Sequence, residues 1–168
     1  MARQQHRFHG DPKRFEVLAA YVHGRFGRSV SYIADVAGGQ GMLTRILNKK
    51  YNYDCEVVDP RGWVLRGVPN RAEEFDSSGA DYYDLVLGLH ADEATRAVAE
   101  AALVRPTVLI PCCNFWSEER LGQKELLAAI ELYYRERQVG YERVTFAFRK
   151  PKNIGLVTTP PRSGDIRA

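Results

Sequence analysis

The stretch Ala34–Leu43, ADVAGGQGML, decides the fold. It opens inside a short β-rich run, Val30–Ala37 (VSYIADVA), that leads directly into Gly38-Gly39-Gln40-Gly41. Leu43, Ile46 and Leu47 then share one face of a helix expected over Gly41–Lys50. Glycines at such a junction permit a tight turn and let a ligand approach the backbone closely. The helix start adds free N–H groups. A second short strand, Cys55–Val58, ends at Asp59-Pro60, which places Asp59 18 residues beyond Gly41. An acid there can accept hydrogen bonds from both hydroxyls of a ribose. A turn that used its glycines for packing alone would not need that acid.

Outward from this core, the hydrophobic period switches between strand-like and helix-like. Asp11 and Pro12 open a helix over residues 11–26. Trp63–Arg66 reads as a helical turn and Val68–Asn70 as a very short third strand. Tyr83–Leu89 (YDLVLGL) is an apolar run of the kind covered on both faces of a parallel sheet. A helix follows over Ala91–Val104, then a fifth strand, Thr107–Ile110, stopped by Pro111. Ser117, with Glu118 and Glu119 behind it, has the features of a helix N-cap, and that helix is expected to reach about Gln138. Arg143–Arg149 and Ile154–Thr158 read as a closing hairpin around Lys150–Asn153. The alternation predicts an α/β domain, Rossmann-like and doubly wound, with a mostly parallel sheet and an antiparallel end. One domain over 1–158 and a loose tail over 159–168 account for the chain.

Composition narrows the class. The 168 residues are 45% hydrophobic and 27% charged, as in a soluble globular domain. No window approaches the roughly 18 apolar residues of a membrane span, so no membrane partner is expected. The N-terminus lacks the apolar core of a secretory signal. Three cysteines, Cys55, Cys112 and Cys113, cannot build a disulfide framework, which points to a reducing cytoplasm. No CxxC pair or His/Cys spacing suggests a metal. The net charge of +3 hides a split. Residues 1–28 carry six basic and two acidic side chains, residues 149–168 carry five and one, and the middle carries 13 and 18.

The run strand–Asp35–x–x–Gly38-Gly39–x–Gly41 resembles the first motif of class I S-adenosylmethionine-dependent methyltransferases. A dinucleotide loop would want a third glycine where Thr44 stands. The resemblance covers most of the chain. It implies a seven-stranded sheet with S-adenosylmethionine as cofactor. Ala37, Gly38, Gly39 and Gly41 would cradle its methionine part, Asp35 would order that loop or hold the amino group, and Asp59 with Pro60 would hold its ribose. Ala72 and Glu73 would lie along the adenine, and Leu89 would close the pocket. Arg71 departs from the acid that the family often has at that place.

Strand four ends in Leu89-His90-Ala91-Asp92-Glu93-Ala94-Thr95, and strand five in Pro111-Cys112-Cys113-Asn114-Phe115-Trp116. This pair resembles a methyltransferase subset that includes the tRNA acceptor-stem 2′-O-methyltransferases. The Asn/Asp-Pro-Pro-aromatic motif of base N-methyltransferases is absent. By position His90, Cys112 and Asn114 face the acceptor. His90 has two roles open to it, as a base or orienting group and as a pocket-shaping hydrogen-bonder. Cys112 is a nucleophile or a small pocket-lining residue. Phe115 and Trp116 either offer flat faces to a substrate or seal the next helix. Arg7 and His9, in the basic N-terminal segment, would meet the cofactor carboxylate or the substrate. A basic patch near the pocket favours a phosphate-bearing partner. The expectation is an RNA methyltransferase, with tRNA as one substrate. The alternatives are a protein or small-molecule methyltransferase, and a cofactor-binding module that needs a partner subunit.

Overall fold

The computed structural model describes residues 8–162. Helix α1 spans Lys13–Phe26, and Asp11 Oδ1 accepts from the Lys13 N–H at 3.0 Å, so Asp11 caps it as expected. Strand β1 (Tyr32–Val36) leads through the glycine turn into α2 (Met42–Tyr51), and β2 (Asp54–Val58) follows. Then come β3 (Asn70–Arg71), β4 (Leu85–Leu89), α3 (Thr95–Ala101) and β5 (Thr107–Ile110). Helix α4 (Gln123–Glu136), β6 (Gly140–Thr145) and β7 (Ile154–Thr159) complete the domain.

The strands form one sheet in the order β3-β2-β1-β4-β5-β7-β6. The first five run parallel, and β7 lies antiparallel to both β5 and β6. Continuous apolar runs in β4 and β5 follow from helices on both faces. Leu85, Leu87, Val108 and Ile110 face α1 and α2, where they meet Leu18, Val22, Leu43 and Leu47. Val86 and Leu109 face α3 and α4, against Val98, Leu126, Ile130 and Tyr134. Truncating a fully buried Leu87 or Leu109 to alanine would cost about 2–5 kcal/mol.

Several expected boundaries move. Ser117 does not start α4, which begins at Gln123. Asn114 is the reason: its Oδ1 accepts from the Trp116 N–H (3.1 Å) and Ser117 N–H (3.4 Å), and its Nδ2 donates to the Glu119 carbonyl. A side chain bonded to its own loop competes with helix initiation. Trp63–Arg66 forms no helical turn; the Leu65 N–H donates instead to the Gln40 carbonyl at 2.8 Å, tying this segment to the glycine loop. The helix expected over Ala91–Val104 shortens to a 3-10 turn, Asp92–Ala94, followed by α3. Strand β6 starts earlier and stops at Thr145, because Phe146 and Phe148 turn into the core beside α1.

Candidate cofactor site

Because β1 sits between β2 and β4, the chain leaves its carboxyl end toward one side and returns on the other. Such a switch point opens a crevice above the strand ends. A cleft of about 450 Å³ lies there, within the usual range for ligand pockets. Ala37 follows β1, Val58 ends β2 and Asp59, Pro60 and Arg61 follow it, and Ala91, Asp92 and Glu93 follow β4. Glu74, Phe75 and Phe115 close its sides.

Asp59 is the fixed acceptor. It is 2% exposed, and its Oδ2 accepts from the Gly39 N–H at 3.0 Å. Its Oδ1 accepts from the Arg61 backbone N–H (3.0 Å) and Nε (2.9 Å), and its Oδ2 from Arg61 Nη2 (2.6 Å). Burial alone would raise its pKa, but the Arg61 and Gly39 donors outweigh burial and hold the carboxyl below its ordinary value. It is therefore an anion at neutral pH.

The glycine loop is built by close packing. At Gly41, φ is +80°, and a Cβ would stand 2.5 Å from Val68 Cγ1 and 2.9 Å from Val57 Cγ2. At Gly38 a Cβ would stand 2.6 Å from the Asp35 carboxylate. At Gly39, φ is +58° and a Cβ would meet only the exposed Arg61 guanidinium, 3.9 Å away, so of these three glycines it is the one a ligand can approach. Asp35 lies beneath, fully buried, and accepts from the Thr44 hydroxyl at 2.9 Å. Burial pushes its carboxyl up to about 7. Thr44, in the place of a dinucleotide loop's third glycine, thus belongs to the Asp35 contact.

The structure gathers only some of the expected residues. Ala37, Asp59, Pro60 and Phe115 line the cleft, and Leu89 is buried behind it. Ala72 and Glu73 are exposed and do not line it. Glu74 and Phe75 take that place, two residues further on, because β3 ends at Arg71 and the chain needs that length to turn back.

His90 stands outside the cleft lining. Its φ is +54°, its Nε2 lies 2.8 Å from the Lys152 carbonyl, and its ring meets Phe148 edge-on. Burial lowers its pKa, so the ring is neutral at pH 7. The Cys112 thiol donates to Asp92 Oδ1 at 3.0 Å, and burial together with Asp92 pushes its pKa up. A protonated thiol is a poor nucleophile, and Cys112 is not among the residues that line the cleft. Asn114 is occupied by its own loop. Trp116 packs edge-on against Tyr133, with the Arg96 guanidinium 4.1 Å from its ring centre, so it seals α4. His9 is exposed, and Arg7 lies outside the described residues.

Sequence reasoning missed Arg61, although a basic residue two positions after the acid was the available signal. It also missed that the basic ends meet. The Arg149 N–H donates to Asp11 Oδ2 at 3.0 Å, joining the hairpin turn to the start of α1. Lys152 Nζ approaches Cys113 Sγ at 3.6 Å. Arg14, buried at the start of α1, donates to the Asp11 carbonyl at 2.9 Å and stacks on Phe15.

No family model matches the chain, and no curated protein matches it. Solved structures do. The sugar N-methyltransferase KedS8 from Streptoalloteichus sp. ATCC 53650 superposes with a TM-score of 0.57 at 17% identity, over 88% of each chain. A putative S-adenosyl-L-methionine-dependent methyltransferase from Methanococcus maripaludis gives 0.55 at 13% identity, over 91% of this chain and 87% of the other. At these identities the likeness is one of fold. The chain has the seven-stranded Rossmann-like fold of S-adenosylmethionine-dependent methyltransferases.

Proposed function

We propose that this protein is an S-adenosylmethionine-dependent methyltransferase that acts on RNA, with tRNA the first substrate to test. The charge of the cleft carries the cofactor reading. Asp59, Glu74, Asp92 and Glu93 line it, against the single guanidinium of Arg61. A pyrophosphate would meet repulsion there. A ligand with a ribose, a sulfonium and an ammonium group suits an acidic cleft with a buried ribose acceptor.

Asp59 would take the ribose hydroxyls, with Phe75 and Pro60 beside the adenine. The open backbone at Gly39 would admit the methionine part. The cofactor supplies an already activated methyl group, so the protein's task is alignment of acceptor, methyl and sulfur. His90 donates its Nε2–H to the Lys152 carbonyl, so that nitrogen would position the hairpin turn rather than remove a proton.

The RNA reading rests on the joining of the basic ends. Asp11 binds the Arg149 backbone, so the start of α1, with Lys13, lies beside the hairpin turn that carries Arg149, Lys150 and Lys152, and these side chains would form the basic side. Phosphate contacts of this kind favour nucleic acid and weaken as salt rises.

The test has two stages. S-adenosylmethionine and S-adenosylhomocysteine are titrated against the purified chain; absence of binding by both overturns the proposal. Labelled methyl transfer is then measured into total RNA, total protein and a small-molecule extract. Salt-sensitive label in RNA is expected. Label in protein or small molecules alone overturns the substrate reading, and binding without transfer points to a missing partner subunit.

A further inference from the structure

The loops after β4 and β5 bring Asp92 together with an adjacent pair of cysteines twenty residues further along the chain. Asp92, Cys112 and Cys113 place their ligand atoms within 4.8 Å of one another. Cys112 Sγ is 3.0 Å from Asp92 Oδ1 and 3.5 Å from Cys113 Sγ. Neighbouring residues usually point their side chains apart, yet here both sulfurs turn to one side. We propose that Asp92, Cys112 and Cys113 form a binding site for a thiophilic divalent cation of the zinc type, at the rim of the cleft.

The spacing suits the ion. Tetrahedral zinc with bonds of about 2.3 Å to sulfur and about 2.0–2.2 Å to oxygen implies ligand–ligand edges of roughly 3.6–3.8 Å. Both observed contacts are shorter than that edge by less than an ångström, so modest side-chain rotation opens the triangle. Two thiolates with one carboxylate are a donor set that selects zinc over magnesium or calcium.

The backbone supports the same assignment. His90 and Asp92 both hold positive φ, +54° and +45°, on either side of Ala91. Neither is glycine, so each carries strain of about 1–3 kcal/mol, the kind concentrated at binding and catalytic sites. That conformation is what directs Asp92 back toward the cysteines.

Charge is accounted for. Binding releases the thiol protons of Cys112 and Cys113 to solvent and leaves two thiolates and one carboxylate around a dication. The remaining single negative charge faces Lys152 Nζ, 3.6 Å from Cys113 Sγ, with the Arg14 guanidinium within electrostatic reach of Cys112. Three protein ligands leave a fourth position for water or for an oxygen, nitrogen or sulfur atom of a substrate. Because Asp92 also lines the cleft, that position opens beside the proposed cofactor site. The cation site itself does not depend on the methyltransferase reading.

The experiment uses the full chain, reduced, freed of metal with a chelator and desalted. Cobalt(II) is added first, because a sulfur-to-cobalt charge-transfer band reports thiolate ligation directly. Zinc is then titrated in competition with a chromophoric chelator. One equivalent per chain is expected, with the cobalt band bleached by zinc. Cys113→Ser and Asp92→Asn should each weaken zinc binding at least tenfold, while Cys55→Ser, at a buried thiol outside the cluster, should leave it unchanged. Circular dichroism checks that each variant is folded. No cobalt band in the folded wild-type chain overturns the proposal, and so does binding that survives a folded Cys112→Ser/Cys113→Ser double variant.

Discussion

Arg61 grips the carboxylate of Asp59 with two side-chain donors, Nε at 2.9 Å and Nη2 at 2.6 Å, and so occupies the acceptor that a bound ribose would need. Asp59 is buried at 2% exposure while the Arg61 side chain is 60% exposed, so the arginine can leave and the acid cannot. Asp59→Asn removes the charge from two ribose hydrogen bonds worth about 1.5–3 kcal/mol each. S-adenosylhomocysteine affinity should therefore fall roughly 100-fold. Arg61→Ala frees the acceptor and should tighten binding several-fold. Isothermal titration distinguishes these outcomes; weaker binding by Arg61→Ala would mean that the guanidinium contacts the ligand itself.

Glycine is required at position 41 on two counts that position 67 shares only in part. Both have φ near +80°, but Gly67 has open space where Gly41 has Val68 and Val57. Gly67→Ala should cost about 1–2 kcal/mol, the ordinary left-handed penalty. Gly41→Ala adds overpacking of about 1–3 kcal/mol. Urea denaturation of the two variants should show Gly41→Ala clearly the less stable.

Asp35 makes stability depend on pH. Its native pKa, near 7, lies above the unfolded value near 3.8, because burial disfavours the charge. The folded chain holds this proton more tightly, so the associated stability is complete below about pH 4 and is lost as pH rises toward and through 7. Asp35→Asn keeps an acceptor for the Thr44 hydroxyl and removes the titration. Thermal melts should show the variant gaining on the wild type between pH 5 and 8. A constant difference would place the Asp35 pKa in the ordinary range.

The left-handed backbone at His90 separates its two possible substitutions. Asparagine tolerates φ near +54°, and a β-branched residue does not. His90→Asn should keep most of the stability while losing the tie to the Lys152 carbonyl. His90→Val should melt several degrees lower. If methyl transfer persists in His90→Asn, the ring is not the base.

The reading of Ala34–Leu43 carried because strand, turn and helix there are local. Period and glycine placement specify them without help from distant residues. Asp59 was legible for the same reason, as the residue that ends β2. Local signals failed where another contact outcompeted them. Ser117 has cap chemistry, but Asn114 ties the Trp116 and Ser117 N–H groups and the Glu119 carbonyl into a loop instead. Ala72 and Glu73 have the family spacing, but a two-residue β3 brings Glu74 and Phe75 to the cleft instead.

By itself, then, the sequence determined the alternation of elements, the parallel sheet, the glycine turn and the acid beside it. Only the tertiary structure decided that Arg61 closes on Asp59, that Asp35 is buried deeply enough to titrate near neutrality, and that Asp92 reaches Cys112 across twenty residues. It also decided that the two basic ends meet through Asp11 and Arg149. Hydrophobic period is a property of neighbours along the chain. Desolvation, ion pairing and ligand clusters depend on which loops the sheet order brings together.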